Sequence, residues 1–166
     1  AYRIGQLTAS PAPGFNHYAN IRCTTADTSL AAGSFVYMNY SLEGYEVQRI
    51  RRGTADAKQL SLQFWVKAAS TGTFVAELTD EDNDRHCCQS FTISSADTWE
   101  KKTMTFPADT TGTFNSDAAE SMKVIIWVTA GSNYTSGTLQ TTWGSRTSAN
   151  RAVGCSVNVA DAVDDY

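Results

Sequence analysis

The chain has 166 residues, 42% of them apolar and 18% charged, with a formal net charge of −4. That length suits one domain, 1–166, with a core of its own, and the acidic balance excludes the basic, clustered footprint of a nucleic-acid binder. No run of about 18 apolar residues exists, so nothing in the pattern predicts a helical membrane span.

In chain order, period-two segments dominate and helix-period segments are nearly absent. Tyr18 to Thr25 and Ser34 to Leu42 read as the first two strands, followed by one helical turn within Glu43 to Ile50 ahead of Arg51-Arg52-Gly53. The clearest alternation is Leu60 to Lys67, with Leu60, Leu62, Phe64 and Val66 on one side and Ser61, Gln63, Trp65 and Lys67 on the other. Ala69-Ser70-Thr71-Gly72 reads as a hairpin turn into a strand over Thr73 to Thr79, which carries Phe74, Ala76 and Leu78 inward. His86 to Ile93 follows, then Trp99 to Phe106, closed by Pro107. Met122 to Val128 precedes a long loop, Ser132 to Gly154, of Ser, Thr, Gly and Asn around Tyr134 and Trp143. Long loops in compact domains are usually functional or mobile. Cys155 to Val159 reads as a short last strand. Strands at short, regular spacing without intervening helices predict an all-β fold, a jelly-roll β-sandwich of two antiparallel sheets. Leu62, Phe64, Val66, Phe74, Leu78, Val124, Ile126 and Val128 are expected between those sheets.

The residues that could carry chemistry are few. Cys23, Cys87, Cys88 and Cys155 form no CxxC pair, and His17 and His86 are the only histidines, which speaks against zinc. Adjacent Cys87 and Cys88 point to opposite faces of a strand, so free thiols of a reducing compartment are expected; a Cys23–Cys155 bridge is the minority alternative. No nucleophile motif accompanies either histidine, and His86 is expected to flank its strand and meet solvent. Glu43, Glu46 and Glu77 are available carboxylates, but spacing alone does not pair them across a cleft as glycoside hydrolysis requires. The sequence therefore predicts no enzyme. Asp80, Asp82 and Asp84 alternate like the start of an oxygen-ligand calcium loop, but the glycine and terminal glutamate of that loop are missing; a polar hairpin turn is the competing reading. Apart from a structural calcium there, no cofactor is expected. Arg49, Arg51 and Arg52 read either as a contact for phosphate or sulfated sugar or as a solvated, ion-paired loop.

The aromatic residues are more informative. Trp65 and Trp127 fall on the polar parity of strands whose other parity is apolar. A sugar ring has an apolar C–H face that stacks on a flat aromatic, while neighbouring polar groups bond its hydroxyls. Gln63, Glu77 and Lys123 share that parity, and Tyr37 and Asn39 join them from an earlier strand, giving a candidate carbohydrate-binding face. The alternative is that the Ser132–Gly154 loop, or another subunit, covers both tryptophans. Trp99 opens its strand and is expected at the core edge.

An ordered set of segments then spans about Gly14 to Tyr166. Cys23 to Gly33 leads to Glu43-Gly44-Tyr45 and Gly53 to Lys58; Phe64-Trp65-Val66-Lys67 comes with Thr71-Gly72-Thr73-Phe74. Asp97 to Lys102, Pro107 to Gly112, Ala130-Gly131-Ser132 and Ala149 to Gly154 follow. In order and spacing the set resembles the jelly-roll domain of tailed-phage virion structural proteins of tail-fibre type, a family similar to β-sandwich carbohydrate-binding modules. The resemblance implies a non-catalytic virion appendage that contacts host-surface glycan or neighbouring virion proteins, and it allows a homotrimer. A carbohydrate-binding module of a secreted polysaccharide-degrading enzyme is the alternative. Members of the family continue into a closing strand of the type Ile-Thr-Gly-Val-Gln-Leu-Glu, whereas this chain reads Asp164-Asp165-Tyr166 at its end and Ala1 rather than Met at its start. A trimmed or excised chain is therefore expected, with the closing strand cut off or supplied by a partner.

Overall fold

The computed structural model describes residues 2–8 and 11–156. It is all-β: strands take 43% of the chain and helices 9%, far from the usual helical share of about a third. The strands are β1 (Tyr2–Leu7), β2 (Tyr18–Cys23), β3 (Phe35–Glu43), β4 (Leu60–Val66), β5 (Gly72–Asp80), β6 (Arg85–Ile93), β7 (Glu100–Phe106), β8 (Glu120–Ala130) and β9 (Gly144–Ser145). A helical turn, α1 (Gly44–Val47), runs into a 3-10 turn at Gln48–Ile50, where the sequence predicts it. Glu43 and Glu46 close a capping box that satisfies each other's backbone amides, while the Gly44 and Tyr45 amides donate to the Ala119 and Asp117 carbonyls.

The strands form three antiparallel sheets where two are expected: β1-β2, β3-β8-β5-β6-β9 and β4-β7. The turn at Ala69–Gly72 is thus not a hairpin. β4 pairs with β7, while β5 pairs with β6 and β8, so the chain crosses between layers there. Apolar contact explains the crossing. Phe64 of β4 meets Phe91 of β6 edge-on at 5.2 Å, and Phe74 of β5 stacks on the same ring at 5.7 Å. The two strands direct their apolar sides at one core rather than lying side by side.

That core draws on all three sheets. Ile21, Phe74, Ala76, Leu78, Cys87, Phe91, Ile93, Phe106 and Val128 are buried in it, and Leu62, Phe64, Val66, Val124 and Ile126 pack against it partly buried. The expected inner residues are all present, and Phe74, Leu78 and Val128 are the ones that are fully enclosed. β1 is not predicted by alternation, because it has no buried parity: Ile4 is 71% exposed and β2 alone pairs with it. The expected strand at Cys155–Val159 falls mostly outside the described residues. Cys155 and Ser156 are not in a strand, although the Ser156 amide bonds the Thr73 carbonyl at 3.0 Å.

The Ser132–Gly154 segment is a fitted cover rather than an open loop. It contains α2 (Ser132–Thr135), β9 and a 3-10 turn at Ser148–Asn150. Tyr134, Leu139 and Ala152 pack onto Val75, Cys88, Ile125 and Trp127 of the five-stranded sheet. Gly131 opens the segment, and an added Cβ there would sit 2.2 Å from the Ala31 carbonyl oxygen.

Candidate functional site: a groove, and a buried cluster across the core

The predicted carbohydrate-binding face does not exist as one surface. Register places Tyr37, Glu77, Lys123 and Trp127 on the outer side of the five-stranded sheet, with Asn39 exposed on edge strand β3. Gln63 and Trp65 lie on β4, in a different sheet on the other side of the core. Parity sends Trp127 away from the core as expected, but the 132–154 cover encloses it completely. Tyr37 packs edge-on against it at 5.3 Å.

Glu77 and His86, expected at solvent, are also fully buried. The Glu77 carboxylate accepts from Trp127 Nε1 at 2.8 Å, from His86 Nδ1 at 2.9 Å, and from Arg151 through Nε at 2.9 Å and Nη2 at 3.1 Å. The Arg151 guanidinium also lies 5.0 Å from the Trp127 ring centroid. A carboxylate oxygen of Glu77, a ring nitrogen of His86 and Cys88 Sγ come within 4.8 Å of one another, and among the described residues they are the one group of three such donors. Arg151 already compensates the carboxylate. Burial, and then the charge of Glu77, push the Cys88 thiol far above its usual range, so it stays protonated and bonds the Arg151 carbonyl at 3.4 Å. The cluster carries no net negative charge and is a hydrogen-bonded network, in which His86 Nε2 is buried without a bonding partner among the described residues.

The alternating aspartates do not converge. Asp80 is buried against Arg52 at 3.0 Å and accepts the Asn83 amide; Asp82 accepts from Asn115, and Asp84 from Arg146. They make the β5–β6 turn, where Asp84 adopts a left-handed φ of 50° that Asp tolerates. Arg52 is not a solvated loop residue either. It pairs with Asp80 and Asp109 and stacks 3.8 Å from the centroid of Trp143. Burial lowers its affinity for its proton and raises that of Asp80, against their mutual attraction. Lys123 pairs with Glu120 at 2.7 Å and with Glu81 at 3.7 Å.

An open groove of about 570 Å³ lies between β4 and the segment running into β2, lined by residues of both sides of β4 from Gln63 to Lys67. It is larger than two other hollows of about 360 Å³. Trp65, Trp99, Tyr18 and Phe15 give it flat apolar walls, the core residues Met38, Phe64, Val66 and Ile126 also line it, and His17, Gln63, Lys67 and Asp97 supply polar groups. Phe15 is 57% exposed, an apolar ring held in water beside other rings. Tyr18 meets Trp99 edge-on at 5.2 Å, and the Gln63 amide is oriented by donating to Thr103 Oγ1 at 3.0 Å. Trp65 and Gln63 are thus the predicted residues the structure brings together at an accessible site. Phe15, His17, Lys67, Asp97 and Trp99 complete it. No period-two pattern marks the stretch holding Phe15 and His17; its only signal is aromatic residues beside Pro11, Pro13 and Gly14.

No protein-family model, curated protein or solved structure matches this chain.

Proposed function

We propose that the chain is a jelly-roll β-sandwich domain of a tail-fibre-like phage virion appendage that binds host-surface carbohydrate, without catalysis, in the groove lined by Trp65 and Trp99. The observation that carries this reading is the groove's composition: three exposed or half-buried rings, Phe15, Trp65 and Trp99, beside hydrogen-bonding groups on His17, Gln63 and Lys67. A pyranose needs flat apolar surface for its C–H face and polar groups at its edge. A volume of about 570 Å³ suits a short saccharide. The sandwich reading is supported by the main apolar cluster, which the five-stranded sheet shares with the two smaller ones. The absence of catalysis is supported by carboxylate count: Asp97 is the one acid among the groove's described lining residues, whereas glycosidases set two across the scissile bond.

The test is a glycan array followed by calorimetry on wild type and Trp65→Ala. Each stacked ring is worth on the order of 1 kcal/mol, so Trp65→Ala weakens binding by about tenfold or less, with little change in stability because Trp65 lies at the surface side of β4. If no glycan binds, or if Trp65→Ala unfolds the protein, the groove is a packing surface for neighbouring virion proteins instead.

A further inference from the structure

We infer that the glycan taken by this groove carries an anionic substituent, a carboxylate or sulfate on the sugar, and that Lys67 receives it; the inference rests on the carbohydrate reading above. Gln63, Trp65 and Lys67 recur at every second position and so form a row on one side of β4 and its continuation, with neighbours about 7 Å apart. The row reads amide, ring, ammonium. Lys67 is half-buried, and its Nζ lies 5.8 Å from the Trp99 ring centroid.

Its place sets it apart: Lys67 is the one lysine or arginine among the groove's described lining residues. Arg52, Arg85, Lys102, Lys123, Arg146 and Arg151 each pair with a carboxylate, and Lys101, across the ladder from Trp65, lies outside that lining. Among the described residues, the contact of the Lys67 ammonium is with an aromatic ring and not with an acid. In a chain of net charge −4, an unpaired cation at the wall of an apolar groove is the place an anion is attracted rather than repelled. Asp97 also lines the groove, but it is exposed, where water and salt screen its charge more strongly than that of half-buried Lys67.

The experiment is an array of acidic oligosaccharides, each printed beside its neutral parent: oligogalacturonate and its carboxyl-reduced form, sialyllactose and lactose, sulfated galactan and desulfated galactan. Titration at low and high salt then follows with wild type, Lys67→Gln, Asp97→Asn and Trp65→Ala, each first shown to unfold in urea at the wild-type midpoint. The expected result is that the acidic member of at least one pair binds about fivefold more tightly than its parent. This preference disappears in Lys67→Gln and at high salt, persists in Asp97→Asn, and survives in Trp65→Ala while both members weaken together. Neutral members binding as tightly as acidic ones, or a preference unchanged in Lys67→Gln, overturns the inference and leaves the carbohydrate reading standing. An array on which nothing binds overturns both.

Discussion

Replacing Arg151 with methionine keeps most of the side chain's apolar bulk but takes the cation away from a buried carboxylate. In the wild type the guanidinium makes contacts of 2.9, 3.1 and 3.2 Å to Glu77, which has no exposed surface, while the arginine side chain is only 17% exposed. Solvent therefore screens the pair little, and removing one partner of such a pair costs about 3–5 kcal/mol. Trp127 Nε1 and His86 Nδ1 still bond the carboxylate, which places the expected loss near the lower end, about 3 kcal/mol. With a urea m-value of about 2 kcal/mol/M, the unfolding midpoint falls by about 1.5 M. The companion Arg151→Met/Glu77→Gln removes the stranded charge and recovers about half of the loss or more, because a neutral amide is far cheaper to bury. A single mutant that loses less than about 1 kcal/mol, or a double mutant no more stable than the single, would refute the claim that this pair fastens the 132–154 cover to the sheet.

Two further outcomes follow from the charges and thiols. Burial pushes the Cys87 thiol up to about 12 and Cys88 further, so both resist iodoacetamide in the native protein at neutral pH and react once urea unfolds it; alkylation of both at the rate of a small free thiol contradicts this. Burial acts to raise the Glu81 carboxyl, but hydrogen bonds from Thr79 at 2.6 Å and Arg146 at 2.8 Å outweigh it and hold the group below the usual glutamate range. Its folded value is thus below its unfolded one, so its contribution to stability is full above the unfolded value of about 4.3 and is lost as pH falls through the folded value. Urea midpoints of wild type and Glu81→Gln therefore converge on acidification; a gap that stays constant from neutral pH to acid removes Glu81 from the account.

The strands and their inner sides are legible in the sequence because alternation is a local property. Leu62, Phe64, Phe74, Leu78 and Val128 declare one buried parity without reference to any partner. Pairing is not local: nothing in Leu60–Val66 says that its neighbour is Glu100–Phe106 rather than the next strand along. The same limit governs the outer sides. Parity sends both Trp65 and Trp127 away from the core, but whether water or protein waits there depends on a distant segment. For Trp127 that segment is polar in composition, and its hold comes from Arg151 on Glu77 and from scattered Tyr134, Leu139 and Ala152, too few and too irregular to read as a packing face. Arg52 misleads for the same reason, since the carboxylates and rings that bury it come from Asp80, Asp109, Phe114 and Trp143.

The four tryptophans divide cleanly enough to test the central claim. Trp65 and Trp99 line the groove, whereas Trp127, enclosed by the 132–154 cover, and Trp143, against Arg52, are not among its described lining residues. In an NMR titration of the 15N-labelled protein with the tightest glycan from the array, the account predicts that the indole N–H signals of Trp65 and Trp99 shift in proportion to occupancy while those of Trp127 and Trp143 stay in place. Shifts confined to Trp127 or Trp143, or no indole shift during measurable binding, would contradict it.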